Sequence, residues 1–436
     1  MMAAATSAAL SLLFVVVYGT CNWITAHRSD VGTWYYEWER YIPFVPLMIM
    51  PYMSIDLFFI AAPFLCQSRV ETRAFARRIA FAILVAGAFF LAMPLQMGAP
   101  LPQPEGWTGA VFKLLHGFDR PTNLFPSLHI VLCTILAVLC ARHAKGVLRL
   151  AVIVWFSLIG FSTLLTCQHH FVDIVGGFVL AGICFYLFPE NQPRWPVIPN
   201  RRIGLYYGAG ALAAAGLAEA AWPWTSILLW PAVSMGLMAL AYAGLGPAIY
   251  RKTDGRLPFS SRLLLAPCLL GQRLSLFHYR RHCAAWNELT PRVWIGSKLS
   301  QGEAMAIKRR GVTAVLDLTA EFSETPALLD LAYLNIPILD LTSLDPAQLK
   351  AAVDFITRQS DHGVVYIHCK AGYSRTAAVA GALLIASGQA TTADEAVAAL
   401  KRARPTIIIR PEAHTALAQF SGVWKAEQKS RGFPVA

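Results

Sequence analysis

The chain has 436 residues, 56% of them hydrophobic and only 14% charged, with a formal net charge of +12. Such a composition excludes an ordinary soluble protein of this length and predicts membrane spans. The positive excess suits cytoplasmic loops or anionic lipid, and no basic stripe interleaved with aromatics points to nucleic acid as a partner. The nine Cys are scattered, several within apolar runs and without metal-ligand spacing, so all but one read as small core hydrophobes.

Ala5 to Ala26 is an apolar run that lacks the basic start and the small-residue cleavage site of a signal peptide, so it reads as a retained span. Trp34, Tyr35, Tyr36 and Trp38 follow, a pattern that suits a membrane–water interface. Further spans are expected at Ile42–Leu65, Ile79–Met97, Ser127–Ala141, Val147–Thr166, Val172–Phe188, Ile203–Ala221 and Thr225–Leu245, about eight in all. Arg69, Arg73, Arg77 and Arg78 follow the second span, and Arg142, Lys145 and Arg149 the fourth. Arg194, Arg201 and Arg202 follow the sixth, and Arg251, Lys252 and Arg256 the eighth. This alternation places both termini in the cytoplasm of a bacterial-type plasma membrane.

Gly255 to Ser260 reads as a linker. Ser261 to Glu288 is basic and partly amphipathic, and reads either as a surface-lying membrane helix or as an ordinary domain-entry helix. From Pro291 the pattern becomes soluble α/β. Short buried strands are expected at Val293–Ile295, Val312–Leu318, Leu334–Leu339 and Val364–Ile367. Helices are expected at Leu299–Arg310, Pro346–Arg358, Arg375–Ala386 and Ala393–Ala403. The expected architecture is a polytopic α-helical membrane domain over 1–250, a basic linker over 251–290, and a cytoplasmic α/β domain over 291–436.

Two constellations carry chemistry. The stretch His368-Cys369-Lys370-Ala371-Gly372-Tyr373-Ser374-Arg375-Thr376 joins a β-branched strand to an Ala-rich helix. Such a loop turns backbone N–H groups inward as an anion nest, and the helix N-terminus adds positive potential. Lys370, Ala371, Gly372, Tyr373, Ser374 and Thr376 would line the nest. Arg375 offers a fork matched to two phosphate oxygens. The same field favours a thiolate at Cys369, a nucleophile for phosphoryl transfer.

This stretch resembles the Cys-x5-Arg signature of the protein tyrosine phosphatase superfamily, in its dual-specificity branch. The resemblance implies a cysteinyl-phosphate intermediate, no metal and no other cofactor, with Thr376 stabilising the leaving thiolate. A general acid is also needed. In that family it follows a Tyr-led strand, on a loop facing the nucleophile. Tyr333-Leu334-Asn335-Ile336-Pro337-Ile338-Leu339-Asp340 has that layout, which selects Asp340. Asp317 ends a strand and reads as structural, while Asp345 before Pro346 reads as a helix N-cap. Arg404-Pro405 resembles a family element that buttresses the loop.

The second constellation is Asn123-Leu124-Phe125-Pro126-Ser127-Leu128-His129 together with His169-His170-Phe171-Val172-Asp173, backed by Gly176-Gly177. His169 and Asp173, at i and i+4, would share a helix face. Asp173 would then orient His169 as a nucleophile on phosphorus, and His129 would protonate the leaving oxygen. His170 reads as a bystander.

These motifs resemble those of the type 2 phosphatidic acid phosphatase superfamily, with Ser127 in its phosphate site. Thr163 stands where that family has Arg, and with Leu128 this brings the sequence nearer to the inositolphosphorylceramide synthase branch, whose members transfer a phospho-headgroup. Lys113 and Arg120 of Lys-x6-Arg-Pro match a further motif, as a phosphate clamp or as a basic loop that matches by letters. The combined expectation is a membrane phosphatase acting on a phospholipid or lipid phosphate at the bilayer. A headgroup phosphotransferase, a membrane-anchored protein phosphatase and a non-catalytic scaffold remain as alternatives.

Overall fold

The computed structural model describes residues 2–98, 102, 104–118, 122–190, 197–220 and 225–430. The chain divides into two compact units, Met1–Asn191 and Gln192–Ala436.

The first unit is helical. Its elements are α1 (Met2–Thr25), α2 (Ile49–Leu65), α3 (Arg69–Ala92), α4 (Gly106–Phe118), α5 (Leu128–His143), α6 (Gly146–Leu165) and α7 (Phe171–Leu187). Helix α5 packs against α2, α3, α6 and α7. Ile79, Ile83 and Ala86 of α3 meet Val131, Ile135 and Leu136 of α5 in the buried core. The close contact of α5 with α7 depends on Gly177: a Cβ there would fall 2.7 Å from the Ser127 carbonyl oxygen and 2.8 Å from Ile130 Cβ. The two motif-bearing helix starts are therefore held side by side.

Helix α3 begins ten residues before the expected span, because Ser68 caps it by accepting from the Glu71 N–H. Arg69, Arg73, Arg77 and Arg78 thus lie on its first turns rather than in a loop. Arg78 and Arg142, from opposite ends of α3 and α5, meet at Glu190, at 3.3 and 2.7 Å. The cations placed after the second and fourth spans therefore share one end of the bundle. Helix α4, which carries Lys113, lies where no helix was expected.

Among the described residues, five helical stretches are long and apolar enough to cross a membrane: Met2–Thr25, Pro46–Leu65, Arg69–Ala92, Gly146–Leu165 and Leu229–Tyr250. Helices α5 and α7 are apolar but shorter. The seventh expected span is formed as a helix, but it carries Arg201, Arg202 and Glu219.

The second unit begins with α8 (Arg201–Ala220) and α9 (Leu229–Leu240), which pack together as a hairpin. These two helices, read from sequence as the last spans of the membrane domain, belong to the compact unit that holds the sheet. They are followed by α10 (Phe259–Leu264), α11 (Ala266–Arg280), β1 (Trp286–Thr290), β2 (Val293–Ser297), α12 (Gln301–Arg309) and β3 (Val312–Thr319). Then come α13 (Pro326–Leu329), β4 (Ala332–Ile338), α14 (Pro346–Ser360), β5 (Val364–Cys369), α15 (Ser374–Ala386), α16 (Ala393–Ala403) and α17 (Pro411–Ser430).

The sheet order is β1-β2-β5-β3-β4, with β1 antiparallel to β2 and the other pairs parallel. Central β5 is apolar at Val365, Tyr366 and Ile367, as a strand covered on both faces must be. One face packs against α14–α17 through Ile295, Leu316, Ile356, Val379 and Leu417. The other packs Trp294, Val315 and Tyr366 against Ile307 of α12 and Leu328 of α13. Nucleotide- and phosphate-binding sites of parallel sheets form beyond the carboxyl ends of the strands, and β5 ends at Cys369.

Candidate active sites

In the second unit the chain leaves β5 at Cys369, turns through Lys370–Tyr373, and enters α15 at Ser374. The turn requires glycine at position 372. Its φ is +72°, and a Cβ there would lie 2.5 Å from the backbone C and O of Gly296. Arg404 holds the loop from behind, donating to the carbonyls of Ala371 (3.3 Å) and Ala284 (3.0 Å) and to Asn287 Oδ1 (2.6 Å). The buttress expected of Arg404 is thus visible as hydrogen bonds.

A cavity of about 60 Å³ opens over the loop, lined by Cys369, Lys370, Ala371, Tyr373, Ser374 and Arg375 of the motif, together with Asp340. Tyr279 and Arg410 complete its wall. The Arg375 guanidinium is buried and forked onto Glu321, at 2.7 and 3.1 Å, and also donates to the Ile338 carbonyl at 2.8 Å and to Asp340 at 3.3 Å. Burial disfavours its charge, but Glu321 and Asp340 hold its pKa well above the ordinary value. Lys370 donates to Gln272 Oε1 (2.9 Å) and ion-pairs with Asp340. Burial opposes ionisation of Asp340, yet Arg375 and Lys370 hold its carboxyl below the usual range. Thr376 is fully buried in the first turn, and its hydroxyl has no hydrogen-bond partner among the described residues, Cys369 included.

Asp345 caps α14, accepting from the Gln348 N–H at 2.8 Å. Asp317 sits in a buried ionic cluster below the loop. It takes Lys252 Nζ at 2.5 Å and the Tyr333 hydroxyl at 2.7 Å. Glu324 takes Lys298 Nζ at 2.7 Å and His368 Nε2 at 2.6 Å. Burial raises the pKa of both carboxyls, but His368 and the lysines more than offset it, so both titrate below their ordinary range. Asp317, Glu324 and His368 are close enough to ligate a cation. Lys252 and Lys298 already neutralise the carboxylates, so the donor set does not suit a metal.

In the first unit, His129 and His169 line a cavity of about 370 Å³ with Asn123, Tyr18, Tyr52 and Asp56. His129 stacks on Tyr52 at 4.1 Å between ring centroids. Helix α7 starts only at Phe171, so His169 precedes it and the two residues do not share a helix face. Asp173 instead caps the helix, accepting from the His170 N–H at 2.8 Å, and its other contact is His169 Nδ1 at 3.6 Å. The pair is adjacent, but beyond hydrogen-bond distance. His129 Nε2, His169 Nδ1 and Asp173 Oδ1 are buried without a hydrogen-bond partner among the described residues.

His170 is bound to Glu39 at 2.9 Å and to the Gly98 N–H at 3.1 Å, a structural role. Ser127 caps α5 by accepting from the Ile130 N–H, and it does not line the cavity. Lys113 is exposed on α4, whose Leu114 and Leu115 face the cavity instead. Arg120 lies outside the described residues. Sequence reasoning missed Glu321, Gln272, Tyr279, Arg410 and Asp56. None sits in a motif, and each comes from an element distant in sequence.

Residues 9–187 match the family model of the PAP2 superfamily. Residues 293–422 match that of the dual specificity phosphatase, catalytic domain. The chain thus carries one stretch similar to each of two phosphatase families.

Dual specificity protein phosphatase 12 of Homo sapiens is 33% identical over 107 residues, covering 23% of this chain and 32% of that protein. Dual specificity protein phosphatase 19 of Mus musculus is 30% identical over 125 residues, covering 28% of this chain and 56% of that protein. The chain thus spans between a third and little more than half the length of these relatives. Among solved structures, that of PTPMT1 is 24% identical, covering 33% of this chain and 99% of that one, with a TM-score of 0.30. Human DUSP28 is 23% identical, covering 32% and 95%, with a TM-score of 0.28.

Proposed function

We propose that the chain is a membrane-embedded lipid-phosphate phosphatase with two phosphoryl-transfer sites. The observation that carries a lipid substrate is the helix beside the cysteine cavity. Helices α10 and α11 expose Phe259, Leu263, Leu270, Leu274 and Phe277, interspersed with exposed Arg262, Arg273 and Arg281. An apolar, basic face of this kind lies in the headgroup layer of an anionic bilayer. Trp230 of the α8–α9 hairpin donates to the Leu263 carbonyl at 2.9 Å, which ties this face to a membrane-length helix. The same α11 supplies Tyr279 and Gln272 to the cysteine site, so headgroup phosphates lie within its reach.

At that site Cys369 Sγ attacks phosphorus, the bond to the alkoxide breaks, and Asp340 gives the alkoxide its proton. Water then attacks the cysteinyl phosphate, loses a proton to Asp340, and releases phosphate and the thiolate. The low pKa of Asp340 in the free enzyme fits this sequence. A phosphoryl dianion engages Arg375 and Lys370, withdraws their potential from Asp340, and favours its protonated form. A phosphatidylglycerol-phosphate or phosphoinositide monoester is the proposed substrate.

In the first unit His169 attacks phosphorus, His129 protonates the leaving oxygen, and Asp173 balances the charge. Headgroup transfer is favoured there by one observation. Among the described residues, no Lys or Arg lines the cavity, and Asp56 does. A singly charged phosphodiester is better tolerated in such a site than a dianionic monoester. An acceptor alcohol in place of water would then release the phosphohistidine.

His129 starts α5 and Arg142 ends it, a rise of about 20 Å. With Arg142 cytoplasmic, the histidine site opens on the outer face and the cysteine site, with both termini, on the inner one. The test is a panel of lipid monoesters, lipid diesters and phosphotyrosine peptides on the full chain, Cys369→Ser and His169→Ala. Lipid-monoester turnover lost in Cys369→Ser, with diester turnover lost in His169→Ala, supports the reading. Turnover of phosphopeptides alone would replace it with an anchored protein phosphatase.

A further inference from the structure

We propose that the α8–α9 hairpin holds the general-acid loop of the cysteine site in its working position, with Tyr242 and Asn200 as the positioning residues. The inference rests on the reading of Asp340 as the acid. Leu341, directly after Asp340, has φ +62°, a conformation that a bulky L residue rarely adopts. Such a backbone persists only where its surroundings enforce it. Lys370 and Arg375 hold the Asp340 carboxylate, while the backbone carbonyls of the segment are held by the hairpin. The Tyr242 hydroxyl donates to the Asp340 carbonyl at 2.7 Å. Asn200 Nδ2 donates to the Leu341 carbonyl at 2.8 Å. The carbonyls of Asp340 and Leu341 are therefore both taken by residues that precede the sheet in the chain. Within the loop, the Leu341 N–H donates to Asp340 Oδ1 at 3.2 Å, and the Leu339 carbonyl accepts from the Thr342 N–H at 3.3 Å and from its hydroxyl at 2.9 Å, so neither the Asp340 nor the Leu341 carbonyl is taken by these bonds.

The two hairpin residues are themselves fixed. Tyr242 is 1% exposed and stacks on Tyr207 of α8, with centroids 5.6 Å apart. Asn200 caps α8 through Oδ1, accepting from the Ile203 N–H, and its own N–H donates to the Tyr242 carbonyl at 3.0 Å. The α-helix also ends as it reaches Tyr242: a π turn spans Ala241–Leu245, with Gly244 at φ 150°. Single π turns recur where a helix must aim a side chain. Start of α8 and end of α9 thus converge, 42 positions apart, on one two-residue segment that carries the acid.

A buried tyrosine hydroxyl needs some partner, so a purely structural contact is the competing explanation. The two differ in which chemical step they affect. An acid matters for an alkoxide leaving group and little for a nitrophenolate, which departs without a proton. The experiment uses the full chain in lipid nanodiscs, with wild type, Tyr242→Phe, Asn200→Ala and Asp340→Ala. It reads the ratio of kcat for an alkyl phosphomonoester lipid to kcat for p-nitrophenyl phosphate.

Asp340→Ala lowers this ratio by about 10²-fold or more, the scale of one general acid. Tyr242→Phe and Asn200→Ala each lower it by roughly tenfold, less than deletion of the acid, since a misplaced group still acts at reduced efficiency. A ratio unchanged in both hairpin variants, whether the two rates fall together or stay as in wild type, overturns the proposal. A ratio unchanged in Asp340→Ala overturns the assignment of the acid itself, and the proposal with it. Because Tyr242→Phe removes one oxygen only, it keeps the test valid if Asn200→Ala uncaps α8 too severely to fold.

Discussion

Replacing Gly372 with Ala tests the phosphate loop where its geometry is tightest. Two costs add. The φ of +72° is penalised for any L side chain by about 1–2 kcal/mol. The new Cβ would also stand 2.5 Å from the backbone C and O of Gly296. Gly296 cannot yield easily, because its own Cα faces the Ala285 carbonyl and the Tyr366 hydroxyl, where a Cβ would fall at 2.3 and 2.4 Å. The nest must therefore move by roughly 1 Å to regain ordinary contact, a displacement that costs on the order of 10²-fold in rate. We expect Gly372→Ala to lose about 2–5 kcal/mol of stability and about 10²-fold in kcat on p-nitrophenyl phosphate, and to bind vanadate more weakly. Steady-state kinetics and thermal unfolding with and without vanadate, on the full chain in nanodiscs, measure all three. Wild-type turnover and vanadate affinity in this variant would refute the account of the loop.

Cys369→Ser should abolish turnover at the cysteine site while leaving the unfolding temperature within a few degrees of wild type, since one sulfur becomes oxygen; a surviving fraction above about a hundredth of wild-type kcat on soluble monoesters would contradict it. The folded-state pKa values of Asp317 and Glu324 are depressed, so their contribution is present above the ordinary carboxylate range near pH 4–5 and is lost as pH falls toward the folded values. Stability followed by urea unfolding should therefore drop on acidification below about pH 5, and Glu324→Gln should show a shallower drop; equal slopes would remove that carboxylate from the account. A Cys introduced at Thr122 should react with impermeant reagent in intact cells, and one at Gln301 should not. Equal labelling of the two would refute the opposed sites.

The cysteine site was legible because its parts are contiguous. Cys369, the loop and Arg375 fall within one strand–loop–helix, where residue order alone dictates proximity. The place of Asp340 at the cavity was legible through the strand that leads to it. Glu321, Gln272 and Tyr279 were not, because ordinary residue types reach the site from separate elements and only the packing of α11 and β3 brings them there. In the membrane unit, the i, i+4 spacing of His169 and Asp173 suggested one helix face, but the helix begins between them, at Phe171. Spacing describes a face only once the N-cap is known. The same dependence on the cap moved the start of α3 to Ser68, and α4 was not anticipated at all. Strand β1 was missed because it starts within the last residues of a basic stretch that read as a helix, either surface-lying or domain-entry. Strands β2 to β5 were evident from their apolar runs, since both sheet faces are covered.

Lys252 lies just past the hairpin, 41 residues before β2 begins, yet its ammonium is buried on Asp317 at the sheet's centre. A fragment cut at the family boundary near residue 293 would carry that carboxylate inward with no counter-ion, a loss on the order of 3–5 kcal/mol for a buried pair broken on one side. The catalytic module therefore ends, electrostatically, upstream of its sequence signature. A fragment that keeps this pair must start before Lys252, and a graft of the sheet onto another chain should carry that lysine with it.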